Sequence, residues 1–492
     1  MNYNFSLIKD IKEEGLRQIF VLIPLIWVII KYFQNGYPDS SSFDSWFFNS
    51  DSIFYHSVSK DLISNKGKLI DWYFPAAPSL FPSLLLVYII NLFTENIYFN
   101  NIVFVLFQAL HLYILLYFLL KHFTDKRYAS FFSFVIFSFT LIIFDFDPFL
   151  YYSKVDHHFG NFLNLLFCLI LTINLLYKSN NLIAIGLFAL LTISTISNPL
   201  IMAQFSLPII ITLFFIEKIK KDNRLKLLLI IISSSITSYL INGLLFNNNL
   251  TDVTISYDIV INSIYHIKIF FTQICTIYQN VIILPFIYFL FLSGMILLNR
   301  AKKPNVLNQL LILFVSFSFI TSTTVVLFSP VNIQFRYIIN IYYLSIITTI
   351  ILLYPYLSVF FKLDTTFVLR YFYMLLILIT VFKTDWSKQL SFNYYPDYVS
   401  YFDKIVNEKK LEYGIADYWE ANRLYVLSKS ELKGIAPVRI DDSNNAIIRK
   451  FNTSRSWINK EFDFSYNINP KKIGLTSFDR YIANNDTVYV FK

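Results

Sequence analysis

Glycine is scarce in this chain, with 10 in 492 residues. A Gly-rich phosphate loop of the P-loop or dinucleotide-binding kind needs several glycines at fixed spacing. None can be drawn from so few, which excludes a nucleotide-binding unit and makes a sugar nucleotide a poor direct donor. The 2 cysteines, Cys168 and Cys275, lie far apart, which excludes a disulfide framework or a Cys-based zinc site. Charged residues make up 15% of the chain, against about 25% in soluble proteins. Glutamate is thinner still: Glu217 is the only one between Glu95 and Glu408. No cleavable leader pattern is evident, because the N-terminal stretch is polar and charged before the first apolar run, and that run is expected to serve as an uncleaved anchor. Internal repeats, long linkers and low-complexity tracts are also lacking.

What is present is apolar: 56% of residues are hydrophobic and mean hydropathy is +0.53. Runs of about 20 apolar residues recur, the mark of a polytopic α-helical membrane protein. The aromatic content of 19% is read as lipid-facing and packing surface. The net charge of +9 is assigned to cytoplasmic connections rather than to nucleic acid.

Spans are expected near 18–33, 101–120, 128–145, 160–177, 182–197, 201–216, 227–246, 281–298, 306–328, 337–361 and 366–383. The stretch 78–93 is short and carries two prolines near its start. It is read as a re-entrant or interfacial helix, because a crossing there would put the basic loop KHFTDKR outside. With that choice the inside connections hold 14 Lys and Arg and the outside ones 6. About 11 transmembrane helices follow, with the N-terminus in and the C-terminus out. Residues 1–383 form the transmembrane domain, with a first outer loop at 34–100. Residues 384–492 are polar and mixed, and read as a small C-terminal α/β extracytoplasmic domain. Strands are expected in RLYVLS, KGIAPVRI and DTVYVFK, and a helix in YPDYVSYFDKIVNEKK.

Chemistry points to YYSKVDHHFGNF. There Asp156, His157 and His158 stand together between two apolar runs. Ionisable residues at a membrane boundary are costly and usually functional, and Asp with His suits a divalent cation. Asp156 and His158, two apart in a turning loop, are able to face the same way. Asp51 opens a helical segment, DSIFYHSVSKDLIS, just after the first span. Its carboxylate suits a site at the outer mouth, and equally a helix N-cap. Asp44 is a supporting candidate, and His56 is expected to face water. Arg336, the one basic residue of a short outer turn, lies where a lipid phosphate would sit. As an alternative it anchors the end of a span at the interface. Asp145 and Asp147, in FDFDPF, either flank the site or only end a helix.

This order of features resembles the GT-C membrane glycosyltransferases, above all the catalytic subunit of oligosaccharyltransferase. The family's first outer loop carries an essential Asp, and its second a DxD-like motif that reads Asp-His-His in archaeal members. The resemblance covers roughly residues 15–240. It implies that Asp51, Asp156 and His158 are metal ligands for Mn2+ or Mg2+, with His157 in support. The cation would hold a polyprenyl-phosphate or polyprenyl-pyrophosphate sugar, with Arg336 on its phosphate. Asp51 and Asp156 would be the catalytic pair, Asp51 as ligand or as base toward an acceptor hydroxyl, and the transfer would invert stereochemistry.

Two features depart from the family. The outer turn SPVNIQFR has no Glu where the family has a TIxE-like motif, and WWDYG is absent. ADYWEANRLYVLS, with Trp419, is either a divergent counterpart of the latter or ordinary packing around that tryptophan. The implied activity is therefore transfer of a sugar or glycan to a lipid, glycan or protein acceptor on the periplasmic side of a bacterial inner membrane. The alternatives are a transporter or flippase for a lipid-linked saccharide and a metal-independent polysaccharide polymerase or ligase.

Overall fold

The computed structural model describes residues 19–64, 67–75, 77–143, 149–155, 158–177, 180–217, 219–246, 305–327, 335–360, 365–441, 446–450, 452–468, 472, 477–483 and 486–491. The expected span at 281–298 lies outside them, as do Asp145, Asp147, Asp156 and His157.

The chain is mostly helical. Five of its described helices are long and apolar enough to cross a membrane: Ile97–Leu120, Lys126–Ile143, Phe159–Tyr177, Lys221–Leu244 and Val306–Val326. Their ends follow the sequence. Asn96 and Asn180 stand just before helices, and their side chains accept from the backbone N–H of Phe99 and Leu182 at 3.2 and 2.8 Å. Such caps satisfy donors that the first helical turn leaves unpaired. In chain order the elements that position the site are α1 (Leu22–Phe33), α2 (Phe43–Phe47), α3 (Ser50–Ser64) and β1 (Trp72–Tyr73). After them come α4 (Leu80–Asn91), α5 (Ile97–Leu120), α6 (Lys126–Ile143), α7 (Phe159–Tyr177), α8 (Asn181–Ser197) and α9 (Met202–Phe215). Among the described residues four more helices follow before the sheet region: α10 (Lys221–Phe246), α11 (Val306–Leu327), α12 (Ile339–Phe360) and α13 (Thr365–Lys383). The 78–93 stretch forms α4, a 12-residue helix shorter than a span and opened by a π turn over Leu80–Leu84.

Contacts sort the connections to two ends of the helix bundle. At one end the Ser391 N–H donates to the Phe33 carbonyl at 2.7 Å, Trp46 Nε1 to Ser153 Oγ at 2.7 Å, and Lys383 Nζ to the Ile142 carbonyl at 2.8 Å. At the other, Tyr354 donates to Asp125 at 2.8 Å, Asn223 to the Leu176 carbonyl at 3.1 Å, and Lys226 to Asn181 at 2.8 Å.

The C-terminal region holds α14 (Asp397–Lys409), β2 (Tyr413–Asp417), α15 (Tyr418–Leu427), β3 (Gly434–Ile440), β4 (Ala446–Ile448), β5 (Thr453–Ser454), α16 (Arg455–Ile458), β6 (Phe464–Tyr466), β7 (Phe478–Ala483) and β8 (Asp486–Phe491). Six strands make one sheet in the order β4-β3-β2-β6-β8-β7, with β2 parallel to β3 and β6 and the other pairs antiparallel. The expected helix and two of the expected strands are there. RLYVLS is a correction: it lies in α15, apart from Ser428 at its end. Asp417 caps that helix by accepting from Trp419 N, and Ala421, Leu424, Tyr425 and Leu427 bury one side of it. An apolar run too short to separate periods of 2 and 3.6 was decided by its cap and its packing. A Cβ at Gly434 would lie 2.5 Å from the Trp457 ring, so glycine lets β3 approach that side chain.

Candidate functional site

α3 is where the first connection meets the C-terminal region. Asn49 is its cap, accepting from Ser52 N at 2.8 Å. Asp51 therefore does not serve as the N-cap, and its carboxylate turns to the C-terminal region. Tyr418 donates its hydroxyl to Asp51 Oδ1. Asn452 Nδ2 donates to the same oxygen at 3.3 Å and to the Tyr418 hydroxyl at 3.0 Å. Burial, with the Asp51 carboxylate beside it, holds the Tyr418 phenol well above its ordinary pKa, so it is a committed donor. The exposed Arg449 lays its guanidinium 4.2 Å from the centre of the Tyr418 ring, a cation–π distance.

The rest of α3 explains how the carboxylate is held. Ser50 Oγ donates to the Tyr418 carbonyl at 2.6 Å, near the start of α15. Lys60 Nζ donates to the Tyr425 and Ser428 carbonyls at 2.8 and 3.3 Å, at its end. Ten residues separate Ser50 from Lys60, and ten Tyr418 from Ser428. The helices thus run side by side in the same direction, and a lysine meets the negative end of the partner's dipole. Burial pulls the Lys60 ammonium down to about 8, against the pull of Asp403. Two-residue strands β1 and β5 pair beside this contact.

His56 corrects the expectation of a water-facing side chain. It is fully buried, with Nε2 2.9 Å from Asn101 Oδ1 and Nδ1 3.3 Å from Asn91 Oδ1. Burial lowers its pKa to about 4. α3 is buried on its polar side as well as its apolar one, because its serines are small enough to let neighbours close in.

Asp156 and His157 lie outside the described residues, but the stretch before them is anchored to the first connection. Trp46 stacks parallel to Tyr151 with ring centres 6.2 Å apart, and Lys154 Nζ sits 4.5 Å from the Trp46 ring centre. Gln108, inside α5, donates to the Tyr152 and Lys154 carbonyls at 2.9 and 3.3 Å. The two loops singled out by sequence therefore meet.

After them, His158 takes a positive φ of 58°. Its Nδ1 lies 2.5 Å from the Asn198 side-chain amide, and its ring centre 5.1 Å from that of Tyr337. The Arg336 guanidinium lies 5.1 Å from the same Tyr337 ring and donates to the Tyr337 hydroxyl at 3.2 Å. His158 and Arg336 are thus brought together on one tyrosine. The π turn of α4 lies close by: Phe81 N donates to Ser197 Oγ at 2.8 Å, and Ser197 Oγ to the Phe81 carbonyl at 2.8 Å. A Cβ at Gly160 would come 2.8 Å from Pro82, so glycine is needed for α7 to start against that turn.

Asp44 is exposed, and its carboxylate faces the Tyr394 hydroxyl. Trp419 is 55% exposed with its ring edge-on to Tyr418 at 5.0 Å. The packing reading of Trp419 is a correction, since Tyr418 is the buried member of the pair. Sequence reading missed Tyr418, Asn452, Tyr337 and Asn198. Tyr418 stood in the stretch already noted, and Asn198 carried a signal as the residue before Pro199 at a helix end. Nothing in the sequence marked Asn452.

Among the described residues no group of three or more His, Cys, Asp or Glu side chains could hold a metal ion. His158 with the Asn198 amide on Nδ1 is a sound imidazole arrangement for a ligand, since that partner fixes the ring. By itself one such residue does not make a cation site. No protein-family model matches the chain, and no curated protein matches it.

Proposed function

We propose that the chain is an integral membrane glycosyltransferase of GT-C type, taking a sugar or glycan from a polyprenyl-phosphate-linked donor. The observation that carries this reading is the meeting of His158 and Arg336 on the Tyr337 ring. A guanidinium and an imidazole gathered on one tyrosine at the end of an apolar bundle are suited to a phosphate that arrives on a lipid. Asp51 is the candidate base toward an acceptor hydroxyl, oriented by Tyr418 and Asn452. Asp156, between the anchored Tyr151–Lys154 stretch and His158, is its expected partner. A divalent cation, Mn2+ or Mg2+, is implied by the Asp156-His157-His158 sequence and by the resemblance, and no step of this reading depends on one.

Orientation follows from charge. The end of the bundle away from this site carries Lys121, Lys126, Arg127, Lys220, Lys221, Arg224 and Lys226. By the positive-inside rule that end is cytoplasmic, which puts the site and the C-terminal region on the outer face of a bacterial inner membrane. The full crossing count is about 11, including the apolar run at 281–298. The acceptor is a lipid, a glycan or a protein.

The test is reconstitution in liposomes with a radiolabelled polyprenyl-phosphate sugar. Transfer of label that is lost in Asp51→Asn and Arg336→Ala supports the enzyme. Label that crosses the bilayer still attached to its lipid means a flippase. Chelation followed by Mn2+ or Mg2+ addition reads the cation requirement, and activity indifferent to both favours a metal-independent polymerase or ligase. Mass spectrometry of glycolipids and glycoproteins in a deletion strain identifies the acceptor.

A further inference from the structure

α9 opens with a π turn over Met202–Ser206. A π turn breaks the regular ladder and frees backbone carbonyls, and such turns are frequent at functional sites. Here the freed groups are taken up by α11: Ser318 Oγ donates to the Gln204 carbonyl at 2.7 Å, and Thr321 Oγ1 to the Ala203 carbonyl. Asn340, in the first turn of α12, donates to Ser318 Oγ at 2.9 Å and to Ser322 Oγ at 3.3 Å. The irregular turn is therefore fastened from behind, and its geometry fixes where the Gln204 side chain goes.

That side chain is 1% exposed and bridges two segments. Its Oε1 accepts from Asn161 Nδ2 at 2.6 Å, and its Nε2 donates to the Tyr337 carbonyl at 2.7 Å. Asn161 lies one helical turn after His158, and Tyr337 follows Arg336 directly. One buried amide thus joins the helix that begins at His158 to the turn that carries Arg336. In an apolar interior no water replaces a missing partner, so these bonds are kept or lost as a set.

We infer that Gln204 is a positioning residue for donor-phosphate recognition: it holds the Arg336–Tyr337 turn in register with His158 and touches no substrate itself. This rests on the reading of Arg336 as a phosphate ligand. A leucine at 204 fills much the same volume but leaves the Tyr337 carbonyl and the Asn161 amide without a partner, which lets the turn shift relative to α7.

The test uses the full-length protein in lipid nanodiscs, titrated with farnesyl pyrophosphate. Arg336→Ala is expected to weaken binding of this probe by more than tenfold, and Gln204→Leu by roughly tenfold, the size of an orphaned buried hydrogen bond. Asn161→Leu moves affinity in the same direction. Gln204→Leu is expected to add nothing in an Arg336→Ala background, because it acts through that side chain. Should Gln204→Leu fail to fold, Gln204→Asn, too short to span both partners, runs the same cycle. Arg336→Ala weakening the probe while Gln204→Leu and Asn161→Leu bind like wild type would overturn the inference and spare the donor reading. Equal losses in both backgrounds would overturn it too. Unchanged binding by Arg336→Ala removes the donor reading and the inference with it.

Discussion

Tyr418 donates its hydroxyl to Asp51 across 367 positions of sequence. The first connection of the chain and its C-terminal region thus build one carboxylate site between them. Removing the hydroxyl with Tyr418→Phe keeps the buried ring and deletes one charge-assisted bond, worth about 1.5–3 kcal/mol. If that bond orients the carboxylate in the reaction, transfer falls roughly ten- to a hundredfold while the protein still reaches the membrane. Asn452→Ala removes a longer bond to the same oxygen, and a smaller loss is expected. Single-turnover rates on reconstituted protein check both.

Trp46 ties the first connection to the stretch before Asp156 through a hydrogen bond, a ring stack and a cation–π contact. Trp46→Ala is expected to cost on the order of 2–3 kcal/mol, less than a fully buried tryptophan, and to lower transfer. Trp46→Phe keeps a ring for Tyr151 and loses the bond to Ser153, so most of the stability returns. Thermal unfolding followed by tryptophan fluorescence in detergent measures the difference.

His56 carries a pH dependence whose sign is fixed. Its folded pKa of about 4 lies below the ordinary 6.5. Between these values the unfolded chain binds the proton and the folded one does not, so stability falls as pH drops through that window and is fully present above it. The shift corresponds to roughly 3 kcal/mol. In His56→Gln the acid sensitivity between pH 6.5 and 4 should shrink by that amount, as read from melting temperatures across the window.

Lys60→Ala takes the ammonium from the end of α15 and leaves the Tyr425 and Ser428 carbonyls short of a donor. A cost of about 1–3 kcal/mol is expected. Limited proteolysis after residue 383 should speed up in this variant and stay slow in an exposed control such as Lys410→Ala.

Asp156→Ala is expected to abolish transfer with no loss of protein from the membrane. Retained full activity, measured on washed membranes with equal protein by immunoblot, would take that loop out of the mechanism.

Much of the helical layout was legible because apolar runs end at polar caps. The sequence placed spans at 160–177 and 182–197, and the helices are Phe159–Tyr177 and Asn181–Ser197. α14 and the strands at KGIAPVRI and DTVYVFK were equally visible from their periods. Pairings between distant polar groups were not. His56 looked like a surface histidine, since its partners Asn91 and Asn101 stand 35 and 45 positions away and carry no local mark. Asp51 was singled out by its place after a span, but nothing nearby announced Tyr418. Trp419 drew attention as a counterpart of a family motif, while the residue before it does the bonding. Periodicity reports which face of an element is apolar, and is silent on which two polar faces will mate.

The paired grips of Ser50 and Lys60 on opposite ends of α15 work as a ruler. A slide of one turn, about 5.4 Å, breaks both at once, and a single inserted residue between positions 50 and 60 turns one grip about 100° away from the other, so that both cannot hold together. Swapping in a C-terminal region from another protein would therefore need to preserve the spacing of these two grips as well as the chemistry between them.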